Sequence, residues 1–232
     1  MIASIHQPHF YPWLGYFDKI DRSDVFVILD NCQYKKQEYQ NRNKIKTTKG
    51  SIWVTVPALI KGRSDQNINE VMIDYSENWR KRHLNLLKAN YREAQFFEMY
   101  YNDIESFYMS RRWETLSELN IEMLDWFFER LGITTPARIA SELNVEGAKT
   151  ERNVNICKAV EADVYLSGQG AKSYLEENLF AEAGIELRFQ EYRHPVYPQT
   201  YGEFEPYLSV VDLLFNAGGR SLEIIREGRK TT

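Results

Sequence analysis

The first thirty residues contain two short apolar segments with a helical pattern between them, and this order constrains the fold more than any other feature of the chain. Residues 1–5 and 25–29 are apolar runs of strand length. Between them, Leu14, Phe17 and Ile20 recur at the spacing of one helical face. A strand, a helix and a second strand in this order predict a βαβ unit with two parallel strands.

The alternation of strands and helices returns in the last hundred residues. Predicted strands there cover residues 136–141, 163–167 and 185–190, and predicted helices cover 150–161, 171–183, 206–216 and 222–227. Between the two alternating regions, the pattern predicts a polar and basic loop over 31–50, a third strand over 52–57 and a short strand over 71–73.

This pattern predicts an α/β fold, a three-layer sandwich with a mostly parallel, Rossmann-like sheet. The HUP-like sheet of the nucleotidylyltransferases is one form of it. Residues 76–132 carry apolar and aromatic side chains at helical spacing, so we expect a helical insertion there, between the third and fourth strands. We expect a single domain over residues 1–232.

Composition excludes several classes of protein. The net charge is −4, from 29 basic and 33 acidic residues, so we expect no nucleic-acid partner. No apolar run is long enough for a membrane span, and no apolar segment follows a basic start, so we expect a cytoplasmic protein. Two cysteines, Cys32 and Cys157, lack the paired spacing of a zinc site, and we expect no metal.

Two histidines, His6 and His9, stand three residues apart directly after the first strand. Imidazoles at a strand end donate hydrogen bonds to a phosphate or to a developing oxyanion. The arrangement resembles the paired-histidine signature of nucleotidylyltransferases, although Pro8 stands where those enzymes have a small residue. The structural alternative is that one histidine caps the strand and the other is exposed.

Polar residues follow the second strand. Asp30 ends it, beside the end of the first strand if the two are parallel. Asn41, Arg42 and Lys44 follow in the basic loop and are suited to binding a phosphate or carboxylate. The alternative is a solvated basic loop.

Cys32 lies near lysines that lower a thiol pKa, but no histidine adjoins it in sequence, so a nucleophilic role is the weaker interpretation.

Two later segments are also candidates. Ser167 and Gly168 end a predicted strand before a predicted helix, where backbone amides approach an anion at the helix N-terminus; a simple tight turn is the alternative. His194 and Asp212 form an acid–base pair if the fold brings them together. Otherwise the prolines near His194 only shape a loop, and Asp212 faces solvent.

Several separated motifs, in order over nearly the whole chain, resemble the WbqC-like family. They are HQPHFYPWLGYF (6–17), Asp30, NRNKI (41–45), WVTVP (53–57), YLSG (165–168) and SVVDLLFN (209–216). This family occurs in bacteria and some archaea, often within gene clusters for O-antigen and other surface polysaccharides. One activity proposed for it is transfer of glycine, or of another aminoacyl or acyl group, onto an amino sugar.

The resemblance implies an enzyme that modifies a glycan precursor, with a nucleotide sugar or amino sugar as acceptor. The cofactor stays open: an adenylate made from ATP and an acyl or aminoacyl thioester are both suitable donors. His6, His9 and His194 are the candidate bases, because a histidine pKa lies near neutrality. The expected substrate-binding residues are Gln7, Trp13, Tyr16, Asp30, Asn41, Arg42, Lys44, Ser167, Gly168 and Asp212. Two alternatives are an ATP-dependent nucleotidylyltransferase-like ligase and a non-catalytic sugar-nucleotide binding protein of the same pathway.

Overall fold

Strands and helices alternate along much of the chain, whose computed structural model describes residues 1–63 and 65–229. Its strands are β1 (Ile2–His6), β2 (Val25–Ile28), β3 (Arg42–Thr47), β4 (Gly50–Thr55), β5 (Ala137–Ile139), β6 (Val164–Ser167) and β7 (Glu186–Phe189). Its α-helices are α1 (Leu14–Asp21), α2 (Trp79–Tyr91), α3 (Phe97–Ser110), α4 (Leu116–Leu131), α5 (Lys149–Ala159), α6 (Glu177–Glu182), α7 (Val210–Ala217) and α8 (Ser221–Glu227).

Five strands form one all-parallel sheet in the order β5-β2-β1-β6-β7. Ala3 pairs with Val25 on β2 and with Tyr165 on β6, so β1 lies at the centre. The α/β class and the parallel pairing of the first two strands are therefore confirmed. The strand order reverses between β1 and β6, which are neighbours in the sheet although a long segment separates them in the chain.

Alternate residues of the central strands enter two separate cores. Phe26 and Ile28 pack with α1, α7 and the helices of the middle segment, whereas Val25 and Val27 pack with α5 and α6. Successive strand side chains point to opposite faces, so the sheet is covered on both. All four residues of β2 are consequently buried, which explains its continuous apolar sequence.

The third predicted strand belongs to a different sheet. It corresponds to β4, which pairs antiparallel with β3 in a two-stranded hairpin. The expected loop over 31–50 is wrong in its second half, because β3 occupies Arg42–Thr47. Charged residues alternate there with the buried Asn43 and Ile45, and Ile45 packs into the core shared with the middle helices and one face of the sheet. Residues 71–73 make only isolated bridges.

The middle of the chain is helical as predicted and contains α2, α3 and α4. A capping box starts α4: the Thr115 side chain accepts from the Glu118 amide, and the Glu118 side chain accepts from the Thr115 amide. Gly132 ends it with a φ of 73°, the left-handed conformation that favours glycine. These helices share one core with the hairpin and with one face of the sheet.

Two predicted helices are shorter than expected. The helix predicted over 171–183 occupies only Glu177–Glu182, preceded by a 3₁₀ turn over Gln169–Ala171. The helix predicted over 206–216 begins only at Val210. Tyr207 has a left-handed φ of 61°, which no α-helix contains, and the amide of Ser209 donates to the Lys44 carbonyl of the hairpin. Within residues 1–63 and 65–229, no helix has the length and apolar character needed to cross a bilayer.

Candidate functional site

The carboxyl ends of β1 and β6 meet where the strand order reverses, and two cavities open there. In open α/β sheets, ligands bind at this position. His6, the last residue of β1, lines both cavities. The α5-side cavity, of about 270 Å³, is lined by Ile5, His6, Gln7, His9, Leu29, Lys35, Glu38, Gln40, Asn153, Tyr165 and Tyr174. The α1-side cavity, of about 250 Å³, is lined by His6, Trp13, Gly15, Tyr16, Lys19, Gly168, Gln169, Gly170, Gln190 and Tyr192.

The two histidines of the N-terminal loop lie against each other. The ring centroids of His6 and His9 are 4.6 Å apart and nearly perpendicular, and the Tyr16 ring lies 4.8 Å from His6. His6 Nδ1 is 3.1 Å from the Gln7 carbonyl. Because a carbonyl only accepts, Nδ1 carries the proton and Nε2 is an acceptor. His9 Nδ1 is buried without a hydrogen-bond partner in the described chain.

Burial changes the expected protonation of these histidines. It lowers the pKa of His9 to about 3, with the charge of Lys19 as a second cause. It also lowers the pKa of His6 well below its ordinary value and lowers the pKa of His194. The expectation of histidine pKa values near neutrality is therefore wrong. At neutral pH the pair offers neutral imidazoles that donate and accept hydrogen bonds.

Lys19 is a site residue that the sequence interpretation missed. It lies on α1, is 2% exposed and lines the α1-side cavity. Its Nζ donates to the Ile5 carbonyl at 3.2 Å. Burial lowers the pKa of Lys19 to about 7. The sequence could have indicated Lys19 by its spacing, because it follows the expected site residue Tyr16 by three residues and lies on the same face of the helix.

The loop after β6 forms the opposite wall of the α1-side cavity. A Cβ added at Gly168 or Gly170 meets no atom within 4 Å, and neither residue has a positive φ. Neither crowding nor backbone conformation requires glycine at these two positions. Their missing side chains leave the backbone accessible from the cavity. Ser167 is buried, and its carbonyl accepts from the Gln190 amide at 2.7 Å. The expected helix N-terminus is absent at this loop, because α6 begins only at Glu177.

Trp13 forms the outer edge of the α1-side cavity. Its ring covers Gly15 so closely that a Cβ at Gly15 would lie 2.2 Å from the indole. The ring also lies 5.7 Å from Tyr192 and 6.5 Å from His194, measured between centroids. His194 is thus linked to the cavity through Trp13, and it lines neither cavity itself.

His194 and Asp212 do not form the acid–base pair. Both carboxylate oxygens of Asp212 accept hydrogen bonds of 2.8 Å, from Tyr91 and Tyr197. His194 Nδ1 is 2.8 Å from the Pro195 carbonyl. The alternative of a solvent-facing Asp212 is also wrong, because this side chain is fully buried, and burial raises its pKa to about 6.

Asp30 and Asn41 hold the scaffold of the site together. The Asp30 carboxylate accepts from the backbone and hydroxyl of Ser141, at 3.0 and 2.7 Å, and from Asn69. Asn41 donates to the Val56 carbonyl at 2.9 Å. Neither residue lines a cavity. Gln7 does, and its side-chain oxygen accepts from Gln40 at 2.6 Å.

Arg42 and Lys44 lie beside an aromatic path that leads to the histidine pair. The Arg42 guanidinium carbon is 4.2 Å and Lys44 Nζ is 5.3 Å from the ring centre of Trp53. Trp53 is 6.0 Å from Tyr39, which is 5.6 Å from His9. Trp53 and Tyr39 are both about two-fifths exposed, and the sequence interpretation assigned neither to the site.

Neither cysteine has the lowered pKa of a nucleophilic thiol. Burial is the largest cause of a raised pKa at Cys32, so the expected lowering by nearby lysines is wrong. Burial also raises the pKa of Cys157 to about 12. Among the described residues, no group of three or more His, Cys, Asp or Glu side chains is arranged to hold a metal ion.

Comparison with known proteins identifies a family and a relative that the chain resembles. A sequence model of the WbqC-like protein family matches residues 7–224. An uncharacterized protein of Mycobacterium tuberculosis, Rv1507c, is 38% identical over 229 residues, covering 98% of this chain and 99% of its own length. No solved structure matches the chain.

Proposed function

The chain belongs to the WbqC-like protein family, and from this premise we propose that it is an enzyme that transfers glycine, or another aminoacyl or acyl group, to an amino sugar or nucleotide sugar. The product is a precursor of O-antigen or another surface polysaccharide. The observation that carries the proposal is the His6–His9 pair at the end of β1, with a cavity on each side of His6.

Two cavities that share one residue suit a reaction between two substrates. In the proposed reaction the amine nitrogen of the sugar attacks the acyl carbon, and the carbonyl oxygen becomes an oxyanion. The bond to the donor's leaving group then breaks, with its electron pair going to that group. The amine nitrogen gives up a proton to the leaving group or to solvent, so that a neutral amide remains. A neutral imidazole N–H group stabilises this oxyanion by donating a hydrogen bond to it. The donor is either an adenylate formed from ATP or a thioester.

The low pKa values of the histidines narrow their roles. A histidine with a pKa of about 3, as at His9, is a weak base toward a sugar ammonium near neutral pH. His9 therefore acts in the proposal as a hydrogen-bond donor to the oxyanion. The Nδ1 proton of His6 is bound to the Gln7 carbonyl, so His6 presents Nε2 as a hydrogen-bond acceptor for the attacking amine. His194 stacks on Trp13 at the edge of the α1-side cavity. In the proposal it contacts the part of a substrate that extends beyond the Trp13 ring.

The hairpin supplies the acceptor-binding surface in this proposal. Arg42 and Lys44 provide cations for the diphosphate of a nucleotide sugar, and the exposed rings of Trp53 and Tyr39 provide stacking faces for the sugar or base. Tyr39 connects this surface to His9. A nucleotide-sugar acceptor and two free thiols are consistent with a cytoplasmic location.

An ATP-dependent nucleotidylyltransferase-like ligase is the second candidate, and the strand order favours it. The sheet strands follow the chain order 3-2-1-4-5, with a core on each face, as in a three-layer Rossmann-like sandwich. A paired-histidine loop directly after β1 fits an ATP phosphate. Pyrophosphate release from ATP in the presence of an amino acid, without any sugar, would identify this activity.

The test of the main proposal is an assay of the purified protein with ATP or acyl thioesters, candidate amino acids and nucleotide amino sugars, with mass spectrometric detection of the amide. We expect the double variant His6→Gln, His9→Gln to lose transfer and to keep a normal circular dichroism spectrum and melting curve. The control is His83→Gln, because His83 is buried away from both cavities, against the Thr55 carbonyl.

The outcomes separate the candidates. Full activity in the double variant would contradict the role of the histidine pair. Binding of nucleotide sugars with no turnover from any donor would indicate a non-catalytic sugar-nucleotide binding protein. Loss of activity in His83→Gln as well, with an unchanged melting curve, would show that the assay does not report on this cleft.

A further inference from the structure

The α1-side cavity contains a buried ammonium group without a counter-charge. Lys19 Nζ has one hydrogen-bond partner in the described chain, the Ile5 carbonyl, and it forms no salt bridge there. The carboxylate of the adjacent Asp18 is engaged elsewhere, since it accepts from Arg229 at 2.7 Å and from Gln190 at 2.6 Å. Among the described residues that line this cavity, Lys19 is therefore the one Lys or Arg, and none of them provides a carboxylate to balance its charge.

A buried ammonium group without a counter-charge is unfavourable unless a bound anion neutralises it. A buried charge is normally paired, because an ion loses its favourable hydration when it is taken out of water. Without a partner, the group loses its proton more easily, and burial accordingly lowers the pKa of Lys19 to about 7. A ligand with a negative charge restores the balance.

The rest of the cavity is suited to such a ligand. Gly168 and Gly170 leave open space above their backbone, so an oxyanion approaches the main chain without meeting a side chain. His6, at the border of the cavity, is neutral and carries its proton on Nδ1, so it adds no competing charge. A volume of about 250 Å³ accommodates a phosphate or carboxylate group with the atoms attached to it.

We propose that Lys19 binds an oxyanion group of a substrate, a phosphate or a carboxylate, in the α1-side cavity. This inference rests on the proposed function only in taking the cleft at the end of β1 as the substrate site. A phosphate would come from ATP or from the nucleotide sugar, and a carboxylate from the amino acid. In either case the group bound by Lys19 lies next to His6, which the two cavities share.

The proposal makes binding depend on pH through Lys19. The titratable groups facing this lysine are His6 and His9 from β1 and its loop, Tyr16 from α1, and Tyr192 from the segment after β7. Burial lowers the pKa of both histidines and raises the pKa of both tyrosines, so these four remain neutral near pH 7. A bound anion favours the ammonium form, so binding takes up a proton and weakens as the pH rises through about 7.

The test is isothermal titration calorimetry of the full chain with sulfate, AMP, glycine and acetate, at constant ionic strength. Sulfate keeps its charge across this pH range, so its pH dependence reports on the protein. We expect Lys19→Met to weaken binding of the preferred anion by about tenfold or more. The matched control is Lys46→Met, because Lys46 is also buried but donates to Gln199 at 2.8 Å, outside both cavities.

Buffers of different ionisation enthalpy measure the proton uptake in the unmodified protein, which keeps the proposal testable even if Lys19→Met fails to fold. Preference for sulfate and AMP would indicate a phosphate site, and preference for glycine and acetate a carboxylate site. Equal affinity in Lys19→Met and the unmodified protein, or binding without proton uptake near pH 7, would overturn the proposal. Calorimetry measures binding and not turnover, so its result does not depend on the outcome of the transfer assay.

Discussion

The carboxylate of Asp212 is buried, and both of its oxygens accept hydrogen bonds from neutral tyrosine hydroxyls. Tyr91 and Tyr197 supply these bonds, and the amide of Lys46 donates in turn to the Tyr91 hydroxyl at 2.8 Å. Burial dominates over the hydrogen bonds and raises the pKa of Asp212 to about 6 from its ordinary 3.8. The same cause lowers the pKa of His9, so burial sets the charge of both groups.

Asp212 should make the protein less stable as the pH rises. Between pH 3.8 and about 6 the folded state keeps the proton that the unfolded state has lost, so the free energy of unfolding falls over this range and then levels off. The change is on the order of 3 kcal/mol. Urea unfolding of the unmodified protein and Asp212→Asn across this range measures it as a difference. Parallel pH profiles for the two proteins would contradict the prediction.

Helix α1 has eight residues, yet it carries Gly15, Tyr16 and Lys19 into the α1-side cavity. Its N-terminus has no side-chain cap from Trp13. Instead, the Trp13 ring folds over Gly15, and the Gly15 carbonyl accepts from Gln190 at 2.8 Å. The start of this helix is therefore positioned by tertiary contacts, which also shape the cavity.

Gly15→Ala should displace the Trp13 ring from the cavity wall. A helical Gly→Ala change normally stabilises a helix by up to about 1 kcal/mol, but here the new Cβ would lie 2.2 Å from the indole. We expect a shifted Trp13 indole resonance in NMR spectra and a lower free energy of unfolding, by about 1–2 kcal/mol. Gly219→Ala is the control, because a Cβ there meets nothing within 4 Å. An unmoved indole resonance would count against this packing.

At the scale of the whole molecule, the end of the described chain is bound to helix α1. Arg229 donates to Asp18 at 2.7 Å and also to Asp21, and Arg226 donates to Asp21 at 2.8 Å. Asp18 is fully buried, and Gln190 donates to it from the end of β7. Three distant segments therefore meet under the α1-side cavity.

Arg229→Met should destabilise the whole protein, because it leaves the Asp18 carboxylate buried without its main cation. We expect the free energy of unfolding at neutral pH to fall by on the order of 3 kcal/mol. Arg220→Met removes a pair in which the two side chains, Arg220 and Glu223, are 70% and 64% exposed, and it should change stability by less than about 0.5 kcal/mol. Urea unfolding of both variants checks this, and similar losses in the two would refute the special role of Arg229.

Local sequence was sufficient to predict the strands of the parallel sheet and the position of the histidine pair. Buried parallel strands require continuous apolar runs, which are visible as residues 25–29, and His6 directly follows such a run. The helical middle segment was equally visible, because its buried face repeats at helical spacing. For these features, each residue's neighbours in the chain decide its conformation.

Long-range contacts decided the rest. The segment Arg42–Thr47 resembles a loop in sequence, but in the fold it pairs with β4 and its Ile45 packs into the main core. Asp212 was assigned to the site by its chemistry, but the fold places it between two tyrosines; Lys19 was passed over, but the fold buries it in a cavity. The sequence by itself determined that the five segments of the parallel sheet are strands and that the two histidines follow the first of them. Only the tertiary structure decided which charged groups face the cavities, because burial and partners come from segments far apart in the chain.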